Sequence, residues 1–241
     1  MNKICINGFI PAKDARHAGT FSNVRKIAFT LAEVLVTLGI IGVVSAMTVP
    51  SLMQNHQRKT YVTQLHKVYN LFSQASVQYM NDNNALNMKE AGITSQDAID
   101  EFVKKYFKIV QSCENDGTGC FATGEYKKMN GVSVPIGTDV AGMNYYVLAD
   151  GSAIGLVLRS TGIQAHIDIN GKKGPNIIGR DVFAFILYNN GLIDEGGTDA
   201  EPPLSAEQRE NIYNTYCLGT SPTTWWGCFG KILNDGWEMT Y

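Results

Sequence analysis

Apolar positions divide the chain into stretches of three kinds. From Phe29 to Val49 the sequence reads FTLAEVLVTLGIIGVVSAMTV, 21 residues with Glu33 as the one charge, which is the span a helix needs to cross the hydrocarbon of a bilayer. Beyond Pro50 the apolar residues thin to a stripe. Tyr61, Leu65, Val68, Phe72, Ala75 and Tyr79 recur at alternating spacings of 4 and 3, and Gln54, Gln57, Arg58, Lys59, Gln64 and Lys67 occupy other positions around them. This pattern predicts an amphipathic helix that lays its stripe on a globular domain. The two halves join into one helix from Phe29 to about Met80, about 80 Å long at ~1.5 Å per residue, with a kink at Pro50.

Ser95 opens a second helical pattern, with Ile99, Phe102, Val103, Tyr106 and Val110 at helical intervals and an end near Cys113. Strand signals then take over: Met143 to Leu148, the turn Asp150-Gly151, Ala153 to Leu158, Ile163 to Ile169, the turn Asn170-Gly171, and Val182 to Leu187. These runs and turns predict an antiparallel meander. The last third reads as loops and short helices, with a capping box at Ser205 and Gln208 after Pro203 and a short helix from Trp226 to Asn234 before Gly236. The expected class is α+β, a long N-terminal helical spine packed on an antiparallel β-meander.

Charge changes the picture by its distribution. Residues 1–28 carry five basic residues against Asp14 alone, a net +4, which leaves −6 for the other 213 residues of a chain whose total is −2. A basic leader therefore precedes an acidic body, and no basic excess marks a nucleic-acid partner. A hydrophobic fraction of 44% excludes intrinsic disorder, and the single apolar run excludes a multi-span membrane protein. Arg25 and Lys26 stand immediately before that run. The positive-inside bias then puts the leader in the cytoplasm and everything after Pro50 on the far side of the membrane. Glu33 is costly inside a membrane, about 2.5 to 3.5 kcal/mol on insertion scales, so it is a functional candidate unless the interface solvates it.

Lys26-Ile27-Ala28, then Phe29-Thr30-Leu31-Ala32-Glu33 and the apolar run, resemble the prepilin cleavage and methylation segment of type IV pilins and type II secretion pseudopilins. The resemblance implies a cut between Ala28 and Phe29 by a prepilin peptidase/methyltransferase, N-methylation of Phe29, and Glu33 as the fifth mature residue, guiding assembly. It departs from the family at Ala28, where glycine is usual, and in the length of the leader. It covers residues 26 to about 50 closely and the helix to Met80 more loosely. The chemistry is also arguable from charge alone. Cleavage leaves an α-amine on Phe29 at the edge of the hydrocarbon, and in a staggered bundle that amine meets the Glu33 of a neighbour, so the buried charge is satisfied only on assembly. The resemblance thus implies three parts: a removed leader (1–28), a transmembrane and assembly helix (29–50), and an extracytoplasmic pilin-like domain (51–241) that includes the amphipathic half of the spine. The partners would be the peptidase, other subunits of a helical filament and the inner membrane; the chain would be a structural subunit and not an enzyme.

With Cys5 lost in the leader, Cys113, Cys120, Cys217 and Cys228 remain, an even number in a domain placed outside the reducing cytoplasm. Three pairings are open; short Gly-rich loops favour Cys113 with Cys120 and Cys217 with Cys228, stapling the loops. A zinc site lacks any CxxC spacing, and free buried thiols are the plain alternative. Asp168, Asn170, Asn176 and Asp181 concentrate oxygens around a glycine turn and are a candidate calcium set, against which stand the hairpin role of Asn-Gly and the adjacent Lys172 and Lys173. No nucleophile elbow, HExxH or phosphate-cradling loop is present. His56 and His66 fall on the polar side of the long helix and His166 alternates within a strand, while Trp225, Trp226, Trp237 and Tyr241 make an aromatic C-terminus suited to core packing. A competing class is a Sec-exported or membrane-anchored binding protein or hydrolase that never polymerises, with Val44-Ser45-Ala46 as a signal-peptidase site before Met47.

Overall fold

A computed structural model describes residues 29–113, 116–124, 126–137, 140–197, 199 and 201–241; the leader and Ala28 lie outside them. The chain divides into two units, residues 1–49 and 50–241. Helix α1 (Leu31–Asp82) contains Pro50 within its length; the proline has no N–H to offer the Ala46 carbonyl, so one rung of the ladder is missing there. Every residue from Phe29 to Pro50 is exposed. This part of α1 is apolar on all sides and long and apolar enough to cross a membrane.

In the second unit the α1 stripe is core. Tyr61, Leu65, Val68, Phe72 and Ala75 are buried, joined by Val62 and Ser76. Helix α2 (Gln96–Tyr106) starts at Ser95, whose side chain accepts from the Ala98 N–H, and it carries Ile99, Phe102 and Val103 inward. It stops earlier than its apolar spacing predicts. Phe107 leaves the helix to pack at 4.8 Å edge-on to Phe72, and the next residues form strand β1 (Ile109–Ser112), in which Ile109 pairs with Leu148 and Val110 is exposed. Val110 therefore belongs to an edge strand and not to the helix.

Strands β2 (Asn144–Leu148), β3 (Ala153–Arg159), β4 (Gly162–Asp168), β5 (Val182–Tyr188) and the short β6 (Ile193–Asp194) follow, and the sheet order is β1-β2-β3-β4-β5-β6, antiparallel throughout. The strands expected from the apolar runs lie within a residue of those observed; β1 and β6 are additions, both too short to show a period. The β3–β4 turn needs glycine. Gly162 lies at φ +153°, and a Cβ there would sit 2.2 Å from the Leu187 carbonyl oxygen on the neighbouring strand. The expected Asn170-Gly171 turn opens a longer connection, residues 169–181, between β4 and β5.

All residues of β4 and β5 are buried, so both faces of the sheet are covered. Pairing puts Ile163, Ala165 and Ile167 on one face with Leu187, Phe185 and Phe183. That face takes α1 and α2: Phe72 meets Phe185 edge-on at 5.2 Å, and Asp100 of α2 accepts from the Asn144 amide at 2.8 Å and from the Tyr146 hydroxyl. The opposite face carries Gln164, His166 and Asp168. It is covered by the β1–β2 connection and the segment before the last helix: Tyr126 donates to Asp168 at 2.7 Å, Phe121 packs edge-on to Tyr145 at 5.5 Å, and the Trp225 ring lies 4.5 Å from that of His166.

Helix α3 (Ala206–Ile212) begins with the expected Ser205/Gln208 capping box, runs into a π-helical turn (Tyr213–Cys217), and is followed by α4 (Cys228–Asn234). Disulfides join Cys113 to Cys120 and Cys217 to Cys228. The second ties the π-turn to the first residue of α4. Trp237 packs on the spine, stacked on His66 at 4.0 Å and edge-on to Tyr69 at 5.0 Å, so His66 is half-buried against an aromatic ring instead of facing solvent. Phe72→Ala is expected to lower the unfolding free energy by about 3–5 kcal/mol, while Val110→Thr on the exposed edge strand should change it by less than about 0.5 kcal/mol; urea denaturation of the detergent-solubilised chain followed by tryptophan fluorescence compares the two.

Candidate assembly segment and buried polar clusters

Phe29 is 78% exposed, and Thr30 begins the hydrogen bonding of α1. The Glu33 N–H donates to the Thr30 hydroxyl at 3.2 Å, while Glu33 Oε2 accepts from the Thr30 N–H at 2.8 Å and from its hydroxyl at 2.9 Å. This reciprocal pair is a capping box, which satisfies N–H groups that no earlier turn of helix reaches. The single charge of the apolar run thus also closes the helix start, in the first turn, where the helix dipole favours an anion. The T-x-x-E spacing carries this signal in the sequence, although Glu33 stands out there first for its charge.

The four oxygen-bearing residues of the β4–β5 connection are brought together. Asp168 Oδ1 accepts from the Asn170 N–H at 3.2 Å, and Oδ2 accepts from the Tyr126 hydroxyl. Asp181 Oδ1 accepts from the Ile177 N–H at 2.7 Å; its Oδ2 accepts from the Asn176 N–H at 2.8 Å and from the Asn170 amide at 3.3 Å. N–H and O–H donors therefore face all four carboxylate oxygens of Asp168 and Asp181, and these hydrogen bonds lock the connection, while the Asn170 side-chain oxygen is buried with no hydrogen-bond partner among the described residues. Among the described residues no group of three or more His, Cys, Asp or Glu side chains is placed to hold a metal ion.

Two further buried clusters have no short-range signature. Asp194, at the end of β6, receives Arg209 of α3 through two parallel bonds, Nε to Oδ1 at 2.8 Å and Nη2 to Oδ2 at 2.6 Å. The bidentate geometry is the strong form of this pair. Next to it the fully buried Glu195 accepts from the N–H groups of Gly196 at 3.2 Å and Gly230 at 2.6 Å, which links β6 to α4. On the other side of the C-terminal loops, Lys128 is 2% exposed and donates to the carbonyls of Tyr216 at 2.8 Å, Gly219 at 2.9 Å and Thr224 at 2.6 Å. One ammonium therefore pins the disulfide-closed segment to the β1–β2 connection. Burial pushes its pKa below the usual lysine value.

Comparisons with protein-family models, with curated proteins and with solved structures find no match.

Burial dominates the titration of the acidic clusters. It pushes Asp168 up to about 7, with the nearby Asp181 charge adding and the Tyr126 hydrogen bond opposing. It pushes Glu195 up to about 7 against the backbone donors of Gly227, Gly230 and Gly196. Both groups keep protons in the folded chain that the unfolded chain has released by about pH 4 to 4.5. Their contribution to stability is complete below that range and is lost as pH rises through about 7. The urea midpoint is expected to fall between pH 5 and pH 7.5, and the double variant Asp168→Asn, Glu195→Gln should flatten that fall.

Proposed function

We propose that the chain is a pilin or pseudopilin: a structural, non-enzymatic subunit processed between Ala28 and Phe29, N-methylated at Phe29, and added through its N-terminal helix to the filament of a type IV pilus or a type II secretion system. The observation that carries this reading is the construction of α1. Its first part is exposed and apolar on all sides with Glu33 as the one charge, and its second part is built into the core of residues 50–241. An anchor that is also the spine of a folded domain is what a packed helical bundle of subunits requires.

Glu33 can serve both roles. Capping engages Oε2, and among the described residues Oε1 accepts no hydrogen bond, so a neighbour's Phe29 amine has an acceptor that is not already engaged in capping. The Sec-exported alternative accommodates α1 less well, because Val44-Ser45-Ala46 lies inside the helix, whereas a signal-peptidase site must be presented as extended chain. The filament would stand in the periplasm or on the cell surface, with the disulfide-stapled loops outward.

Mass spectrometry of the N-terminal peptide from native membranes is expected to find N-methylated Phe29; a terminus at Met47 or an intact leader would remove the assembly reading. A second prediction separates capping from assembly. Glu33→Gln keeps a capping-box acceptor and loses the charge. It is expected to insert in the membrane normally and yet form no sedimentable filaments; filaments at wild-type level from Glu33→Gln would reduce Glu33 to a helix cap.

A further inference from the structure

A cavity of about 550 Å³ lies wholly within residues 50–241. Asn55, Arg58, Lys59 and Thr63, which share one face of α1, line it from the helix, and Trp237 and Glu238 line it from the C-terminal segment. The tryptophan is fixed in place. Its backbone N–H donates to the Ile232 carbonyl at 2.9 Å, its ring is stacked on His66 at 4.0 Å, and its backbone is held at φ +65°, a left-handed conformation that a tryptophan adopts only where its surroundings impose it. The two cations, by contrast, have no partner in the fold. Lys105, Arg209 and Lys231 are in ion pairs, and Lys128 holds three carbonyls. Among the described residues Arg58 and Lys59 make no ion pair and no side-chain hydrogen bond, and Glu238, the carboxylate lining the same cavity, is outside ion-pair distance of both.

Their place in the sequence also asks for a cause. Arg58 and Lys59 follow Val49, the end of the apolar run, by nine and ten residues. Positive charge within about 15–20 residues of a span on its translocated side works against the orientation that Arg25 and Lys26 favour. We propose that the cavity binds the headgroup of an anionic glycerophospholipid, phosphatidylglycerol in type, from the membrane that residues 29–49 would span; this rests on the membrane-spanning part of the proposed function and not on filament assembly. Cations close to a membrane surface are drawn to anionic lipid, and here two of them line one cavity and can hold a phosphodiester through charge-assisted hydrogen bonds. Glu238 selects among anions. The hydroxyls of a glycerol headgroup can donate to it and bond to Asn55 and Thr63, whereas a dianionic phosphate monoester meets repulsion there. Two cations less one carboxylate leave +1, which complements a headgroup of single negative charge. The volume falls within the roughly 300–1,000 Å³ of small-ligand sites.

The test is native mass spectrometry of the full chain from native membranes in a nonionic detergent, titrated with phosphatidylglycerol, phosphatidylethanolamine and phosphatidylcholine of the same acyl chains. Phosphatidylglycerol is expected to bind one saturable site about tenfold more tightly than the other two. The double variant Arg58→Gln, Lys59→Gln should erase that preference with an unchanged melting temperature; Lys67→Gln, which removes an exposed cation of α1 outside the cavity, should keep it. Equal affinity for the three lipids, loss of the preference in Lys67→Gln, or displacement of phosphatidylglycerol by millimolar inorganic phosphate, the mark of a free-anion site, overturns the proposal. The same spectra give the mass of the chain. A chain that begins at Met47 has no anchor and fails both readings, whereas one that begins at Phe29 and shows no lipid preference overturns the lipid site alone.

Discussion

Strands β4 and β5 have no face left for solvent, and covering them twice is the constraint on which the rest of residues 50–241 depends. A sheet strand of continuous apolar sequence such as Val182–Tyr188 gains stability only if both pleats are removed from water. The helices supply one cover, through Phe72 set against Phe107 and Phe185. The other cover is made of irregular chain. These segments bury Phe121, Tyr126, Val134 and Trp225 and are further fixed by two disulfides, the Lys128 ammonium on three carbonyls, and hydrogen bonds to Asp168 and Asp181.

This division of labour explains where the polar residues of the core lie. Gln164, His166 and Asp168 share the loop-covered face, where Asp168 accepts from the Asn170 N–H and the Tyr126 hydroxyl and Gln164 bonds to Arg159 and His166; the helix-covered side of the same strand is wholly apolar. Buried polar groups cost less where irregular backbone brings donors to them.

α1 joins two different solvent problems in one element. Its first part is exposed along its described length and its second part is built into the domain core. Thr30 and Glu33 cap the start of the helix with bonds between their own backbone and side chains. A carboxylate that both closes the helix and bears the only charge in the apolar stretch links local helix chemistry to the proposed contact between subunits.

Local pattern was sufficient for the elements whose period is long enough to read: the stripe from Tyr61 to Tyr79, the four strands of the meander, the Ser205/Gln208 cap, and short-loop disulfide pairing. Each depends on residues near one another in sequence, so spacing alone expresses it. The tertiary structure decided the rest. Val110 has helical spacing from Tyr106 but sits on an edge strand, the helix having ended at Tyr106 where Phe107 turns edge-on to Phe72. The Asp168 and Asp181 carboxylates accept N–H and O–H donors, one of them from Tyr126, 42 positions from Asp168. Arg209 with Asp194, Lys128 with the Tyr216 carbonyl, and Trp225 with His166 are likewise meetings between distant segments. Their partners are chosen by which face of the sheet each segment must cover, and that choice exists only once the chain has folded.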